Sequence, residues 1–336
     1  MSLVNMDVKA TSRREKRAWW GDSPMIPSLL TFIVVFVLFW LFVRNFGTMR
    51  TVSAFVNAAS INAIVVIGVT LLMISGEFDL SVGAIVAMGA YIFASIMLAG
   101  GSPIIAIGLA LLVTALMGAI NGGLTIWTGI PSFIVTLGTS SIYRAAVWLY
   151  SGGLMLQTTE ELPLYTFFNG RLDIVNDLLS RANFRTTAVW VIGLGLLFQF
   201  ILIRTRFGNH VFATGGNPRG AKAQGINTKR VKLICFTLTG ALAGLAGIMT
   251  FSQFLTVFVA TGRGTEFTAI ASAVVGGALL KGGVGSIIGG LVGILLISML
   301  RSGVVLSGFP PDNFEAIVGI AIIGAAIINE RVRSRA

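Results

Sequence analysis

The sequence predicts an all-α membrane protein, a bundle of about ten helices that cross the bilayer. Hydrophobic residues make up 55% of the 336 residues and charged residues 11%, whereas a soluble domain usually has about 25% charged residues. The mean hydropathy is +0.89. The apolar residues also stand in long runs, such as 26–43, 104–119 and 289–300, which suit the interior of a bilayer.

The first apolar run, 26–43, follows a polar segment that contains Arg13, Arg14, Lys16 and Arg17. The run is longer than the ~7–15 residues of a signal-peptide core, and no small-residue cleavage site follows it. We therefore expect an uncleaved first span. Residues 1–25 become a basic N-terminal segment, and residues 26–330 become the transmembrane domain.

Further apolar segments follow at intervals along the chain. A helix that crosses the bilayer needs ~20 mainly apolar residues, with a range of ~17–25. The segment 266–280 is short for a full crossing, which predicts a half-helix or a re-entrant segment buried against protein. The predicted segments after the first are 52–75, 82–99, 103–127, 131–150, 188–203, 231–258, 266–280, 284–300 and 313–329.

The positions of Lys and Arg orient these spans. Membrane proteins carry an excess of basic residues in cytoplasmic loops, which places the basic connection 204–232 and the tail 331–336 in the cytoplasm, together with both termini. The net charge of +11 is then a consequence of topology and not a sign of nucleic-acid binding. The connection 151–187 is outside, where 173–181 has the spacing of an interfacial helix or of a docking element for an outer partner.

A short helix is predicted inside the basic connection. Asn217 is a good N-cap, Pro218 suits the first helical position and Gly225 suits the position after the last turn. The helix so bounded, 218–224, is far below the ~12–15 residues at which isolated helices become marginal in water. It either packs on its own membrane domain or docks into a groove of another protein, with Ala221 and Ala223 leaving room for close contact. The candidate residues here are Gly216, Asn217, Pro218, Arg219, Ala221, Lys222 and Gly225.

Two carboxylates interrupt an apolar stretch in Gly76-Glu-Phe-Asp-Leu-Ser-Val-Gly83. A charge at the bilayer centre costs about 2.5–3.5 kcal/mol, so Glu77 and Asp79 are expected at an interface or in a polar cavity. The segment is either a tight turn, with Asp79 or Ser81 capping the next span, or a gating or coupling element. Together with Glu266, these carboxylates also leave open a secondary transporter that carries protons.

Gly285, Gly289 and Gly293 recur at every fourth position. This spacing predicts a helix face that lets two membrane helices approach closely. The stretch is not a dinucleotide-binding fingerprint, because Ile288 stands where the third glycine of that motif is required.

The composition excludes several chemistries. One cysteine, Cys235, allows no internal disulfide or thiolate cluster, and one histidine, His210, leaves no His-rich metal site. No Gly-x4-Gly-Lys-[Ser/Thr] motif occurs, so the chain has no P-loop of its own. No catalytic residue, metal or cofactor is predicted for this chain.

The motifs resemble those of the ribose-type permeases of bacterial ABC importers, over about residues 26–330. The segment Gly76–Gly83 is similar to a family signature, although Glu77 and Phe78 replace Gly and Ile. Gly215-Gly-Asn-Pro218 with Gly225-Ile226 resembles the family's cytoplasmic coupling segment. Further resemblances are Pro131-Ser-Phe-Ile-Val-Thr-Leu-Gly138 and Glu266 with Ala269-Ile-Ala271.

The resemblance implies a type II importer fold, an inner-membrane location and several partners. These are a second permease copy or a homologous permease, a cytoplasmic ATPase that binds ATP and Mg, and a periplasmic binding protein that delivers a monosaccharide or related small solute. The rival function is a cation-coupled secondary carrier that uses Glu77, Asp79 or Glu266. A third possibility is a structural membrane subunit without a transport pathway.

Overall fold

The computed structural model describes residues 25–179 and 181–308, together with 316 and 319. As predicted, these residues are mostly helical. The elements in chain order are α1 (Met25–Phe42), α2 (Met49–Ile74), α3 (Val82–Leu98), α4 (Pro103–Thr128), α5 (Ser132–Ser151), β1 (Leu156–Gln157), α6 (Pro163–Asn169), α7 (Asp173–Leu178), α8 (Thr186–Arg204), α9 (Arg206–Gly216), α10 (Pro218–Ala223), α11 (Thr228–Phe254), β2 (Thr256–Val257), α12 (Thr265–Val275) and α13 (Ile287–Leu306).

Among the described residues, five helices are long and apolar enough to cross a membrane: α2, α4, α8, α11 and α13. α3, α12 and the 27–42 part of α1 are shorter apolar helices. α12 has 11 residues, which at 1.5 Å per residue is about half of the ~30 Å hydrocarbon core. The predicted span 313–329 lies outside the described residues except for 316 and 319, and the segment before residue 25 and the tail 331–336 lie outside them entirely.

The connections gather at two ends of the bundle. At one end, Thr158 N–H donates to the Leu255 carbonyl at 2.9 Å, next to the antiparallel pair of β1 and β2. We call this the loop end, because it carries the connection 152–185. The other end carries the connection 205–227, with exposed Arg206, Arg219 and Lys222. We call it the basic end.

The outer faces of the peripheral helices are apolar and exposed. They include Leu109, Leu112 and Leu116 on α4 and Leu196, Leu197 and Phe200 on α8. Apolar faces of this extent are not tolerated in water and are normal against lipid. The protein is therefore a multi-pass membrane protein.

Glycines bring the central helix α11 into backbone contact with its neighbours. α11 lies against α2, α3 and α4. A Cβ atom added at Gly118 would overlap the Phe236 carbonyl, and one added at Gly240 would overlap the Thr114 carbonyl. Close approach through small residues is how membrane helices gain packing energy where lipid removes the hydrophobic drive.

We expect Gly118→Leu to destabilise the bundle by about 1–3 kcal/mol, because the new side chain forces α4 away from α11. The matched control is Gly108→Leu, on the same helix, where an added Cβ meets nothing within 4 Å. Thermal unfolding of the detergent-purified variants measures the difference. Equal midpoints for the two variants would contradict the packing of α4 on α11.

The predicted glycine face is only partly helical. Gly289 and Gly293 lie on α13 against α12, where added Cβ atoms would overlap the carbonyls of Gly276 and Ser272. Gly285 was expected on the same face, and this was wrong. α13 begins after Ser286, whose hydroxyl accepts a hydrogen bond from Gly289 N–H at 2.9 Å. Gly285 therefore precedes the helix, with φ of +153°.

Candidate functional site

The short helix of the basic end has the predicted local structure. Asn217 Oδ1 accepts a hydrogen bond from Gly220 N–H at 2.9 Å, and Pro218 is the first residue of α10. Gly225 has φ of +83°, a conformation that glycine adopts at low cost. α10 ends at Ala223, one residue before the predicted end. The cap and the turn fix both ends of the helix and so its direction.

One face of α10 is open to a partner. Arg219, Lys222 and Ala223 are exposed. Ala221 was expected to leave room for a partner, but it is 5% exposed and packs within this chain. The reason is the size of α10: a six-residue helix is held only if one face rests on its own protein, here α9 and α11. Ala223 and the two basic residues remain available.

The helix α10 stands on a junction of glycines from three connections. Gly215 lies so close to the end of α2 that an added Cβ would overlap the Ile74 carbonyl. Gly283 N–H donates to the same carbonyl at 2.8 Å, and an added Cβ at Gly283 would overlap Gly216. The segment before α10 is thus in backbone contact with the end of α2 and with the connection before α13. A Cβ atom added at Gly282 would likewise overlap the backbone of Gly76. We call Gly76, Gly215, Gly216, Gly282 and Gly283 the glycine junction.

The acidic motif after α2 has no regular secondary structure over residues 77–79 and is not a simple capped turn. Phe78 N–H donates to Ser132 Oγ at 3.0 Å, and Leu80 N–H donates to Thr136 Oγ1 at 3.1 Å. Both acceptors lie in the first turns of α5. Side chains of α5 therefore satisfy backbone donors that would otherwise be unpaired in an apolar interior.

Glu77 forms an ion pair with Lys232 of α11. The side chains of Glu77 and Lys232 are 11% and 23% exposed, so the pair is only partly accessible to water. Lys232 was expected to be one of the basic residues of a cytoplasmic connection, and its role as a partner of Glu77 was not predicted. The pair ties the connection after α2 to the start of the central helix.

Asp79 is fully buried in a hydrogen-bond network. Its Oδ1 accepts bonds from Ser81 N–H and Ser81 Oγ, both at 2.7 Å, and its Oδ2 accepts from Asn121 Nδ2 at 3.1 Å. Tyr143 OH donates to Asn121 Oδ1 at 3.1 Å. The expectation that Asp79 or Ser81 caps the next helix was wrong: the Ser81 hydroxyl donates to Asp79, and the Asp79 carboxylate accepts from Ser81 and Asn121 instead of from a backbone N–H of α3. The network joins α3, α4 and α5.

Glu266 lies in the first turn of α12, beside the first turn of α3. Its Oε1 accepts a hydrogen bond from Gly264 N–H at 3.3 Å, while its Oε2 is buried without a partner in the described part of the chain. A Cβ atom at Gly83 would overlap both Oε2 and the backbone carbonyl oxygen of Gly262, and the backbone contact requires glycine at this position. Arg144 of α5 donates to the carbonyls of Val259 and Thr261, at 2.7 and 2.8 Å, and holds the connection before α12.

Three residues that contact the acidic motif or its hydrogen-bond network were not predicted from the sequence: Asn121, Tyr143 and Lys232. Asn121 had a detectable signal, since an amide in an apolar helix is costly unless it is bonded to protein. Lys232 had none, because a lysine near a helix end is ordinary in membrane proteins. Tyr143, in the middle of α5, had none either, since a single tyrosine in an apolar segment does not indicate its partner.

Known transport proteins are similar to this chain over most of its length. A family model described as branched-chain amino acid transport system / permease component matches residues 51–326. The autoinducer 2 import system permease protein LsrC of Escherichia coli O9:H4 (strain HS) is 32% identical over 310 residues, 92% of this chain and 87% of that protein. LsrC of Yersinia pseudotuberculosis serotype O:3 (strain YPIII) is 32% identical over 311 residues, 91% of this chain and 84% of that protein. No solved structure shows a significant match.

Proposed function

The chain belongs to the family of permease components of branched-chain amino acid transport systems, and from that premise we propose a specific role. It is the transmembrane subunit of a bacterial ABC importer that moves a monosaccharide or related small solute inward. Separate cytoplasmic ATPase subunits bind ATP and Mg and supply the energy. This chain catalyses no covalent reaction.

The proposal depends mainly on the exposed face of α10 and on the packing that holds this helix in place. A capped helix with exposed Arg219, Lys222 and Ala223 stands at the end of the bundle that is rich in basic residues. Basic side chains attract acidic groups of a partner and steer its approach. The exposed face therefore suits docking of an ATPase, which this chain needs because its sequence has no P-loop.

The glycine junction supports a route for motion. A displacement of α10 moves Gly215 and Gly216, which touch the Ile74 carbonyl and Gly283 without intervening side chains. Packed backbone has little room to absorb a shift, so the movement reaches α2 and α13 together. Alternating access requires such a coupled movement of helices around the solute path.

The orientation and remaining partners follow from the same assignment. The basic end faces the cytoplasm with both termini, in agreement with the distribution of Lys and Arg. The loop end faces outward and receives a periplasmic binding protein. A second permease copy, or a homologous permease, completes the pathway in the inner membrane.

Uptake into proteoliposomes tests the function. The complete importer, with ATP enclosed on the side of the ATPase, should transport a sugar after ionophores have collapsed the proton and sodium gradients. Uptake that stops when the gradients collapse would instead show a cation-coupled carrier. The structure disfavours that rival for Glu77 and Asp79, because Lys232, Ser81 and Asn121 already engage these carboxylates.

The ion pair of Glu77 and Lys232 gives a prediction by charge exchange. Glu77→Lys and Lys232→Glu each place two like charges together in a partly buried site, so ATP-driven uptake should fall several-fold in each. The double variant Glu77→Lys/Lys232→Glu restores opposite charges and should recover most of the uptake. Rates are normalised to the amount of folded chain in the membrane. Additive losses in the double variant would show that the pair does not couple the two segments.

A further inference from the structure

A cavity of about 200 Å³ with five polar side chains in a largely apolar wall lies among α2, α3, α11 and the start of α12. Its polar lining comes from Asn57, Asn62, Thr250, Gln253 and Thr265. Small and aliphatic side chains and one phenylalanine complete the wall. No role was predicted for any of these residues from the sequence.

Several polar groups of the cavity have no protein partner. Asn57 Oδ1 is buried and unpaired, although Asn57 Nδ2 donates to the Asn183 carbonyl at 2.6 Å. Among the described residues, the side chains of Asn62 and Gln253 make no hydrogen bond. Thr250 donates to the Ala246 carbonyl at 2.7 Å, which leaves its oxygen able to accept a bond from a ligand. The unpaired Asn57 Oδ1 is fully buried, whereas Asn62 and Gln253 are half-buried. An unpaired buried amide oxygen is costly, so a ligand or water is needed to satisfy it.

Building on the proposed function, we infer that this cavity binds the transported solute and selects a small, neutral, hydroxyl-rich molecule. Amides and hydroxyls both donate and accept, as the hydroxyls of a sugar do. None of the lining residues is charged, whereas an amino acid would bury an ammonium and a carboxylate there without a counter-charge. The volume exceeds the ~15 Å³ needed for one water and is below the ~300–1,000 Å³ of pockets for drug-sized ligands.

A second cavity on the side of the loop end shares one residue with the first. Asn57 also lines a neighbouring cavity of about 490 Å³, together with Arg50, Arg181 and Asn183. Asn183 belongs to the connection before α8, at the end where the proposed binding protein delivers its solute. On the inferred path the solute passes Asn57 first and then reaches Asn62, Thr250 and Gln253.

Two threonines on α11 provide a matched test. Thr250 lines the cavity, while Thr237 does not, and each donates to the carbonyl four residues earlier, at 2.7 and 2.9 Å. Thr250→Val keeps the shape and removes the hydroxyl, Thr250→Ser keeps the hydroxyl, and Thr237→Val is the control. Gln253→Leu removes an unpaired amide. The complete importer is reconstituted and its ATP-driven uptake of radiolabelled D-ribose, D-xylose, D-glucose, D-galactose and L-leucine is measured at saturating binding protein.

We expect Thr250→Val and Gln253→Leu to lower the uptake of a transported sugar by roughly 5-fold or more, the loss typical of one or two hydrogen bonds. Thr250→Ser and Thr237→Val should remain near the parent rate. If the parent transports a sugar and Thr250→Val behaves as Thr237→Val does, the cavity is not the binding site, although the proposed function stands. ATP-driven uptake of leucine would overturn the neutral solute class. A parent importer that moves none of these sugars would overturn the proposed function and this inference together.

Discussion

Replacing Ala223 with Trp is expected to weaken the association of this chain with its ATPase and to lower ATP-driven uptake in the same proportion. Ala223 is exposed on α10, so the variant should fold and insert normally. A bulky side chain in a close contact costs about 1–3 kcal/mol, which corresponds to roughly 5–150-fold in affinity. Co-purification of the ATPase and uptake by proteoliposomes measure the two effects.

Two variants control this experiment. Ile104→Trp introduces the same side chain in the first turn of α4, where residue 104 is 82% exposed, and should keep both ATPase and uptake. Ala221→Trp changes a residue that is 5% exposed, so it should lower the amount of folded chain in addition to any effect on docking. Full retention of the ATPase and normal uptake in Ala223→Trp would remove α10 from the mechanism.

The ends of α10 were predictable because the signals are local. An Asn-Pro pair starts a helix and a glycine with positive φ ends it, whatever surrounds them. The sequence could not predict which face of α10 is buried, because that depends on which side of the helix α9 and α11 cover. For that reason Ala221 and Ala223 looked equivalent in the sequence, while one is buried and the other exposed.

The spans were predicted well where long apolar runs coincide with helices, as in α2, α4 and α8. The spacing of four residues between glycines wrongly placed Gly285 on the same helix as Gly289 and Gly293. The helix begins only after Ser286, so Gly285 precedes it. The acidic motif was recognised as unusual, but its partners were not. Asp79 meets Asn121 of α4, and Glu77 meets Lys232 of α11, by contacts that only the packing of distant segments determines.

Replacing Asp79 with Leu is expected to have the largest effect on folding. The carboxylate accepts three hydrogen bonds from Ser81 and Asn121 in a site without exposure to solvent. Leucine leaves those donors unpaired, and each unsatisfied buried group costs about 1–3 kcal/mol, so the loss should reach at least ~3 kcal/mol. Thermal unfolding of the purified chain measures it. The control is Asp173→Leu, whose side chain is 75% exposed and which should unfold near the parent temperature.

The conservative variant Asp79→Asn separates a structural role from proton transfer. Its oxygen still accepts both bonds from Ser81, while its amide faces the Asn121 amide that formerly donated to Asp79. One bond is lost, so a stability loss of about 1–3 kcal/mol is expected, with ATP-driven uptake per folded chain close to that of the parent. A carrier that moves protons through this carboxylate would lose its transport completely, because an amide does not titrate. Loss of uptake per folded chain, together with normal stability, would show that Asp79 takes part in transport chemistry and does more than hold α3, α4 and α5 together.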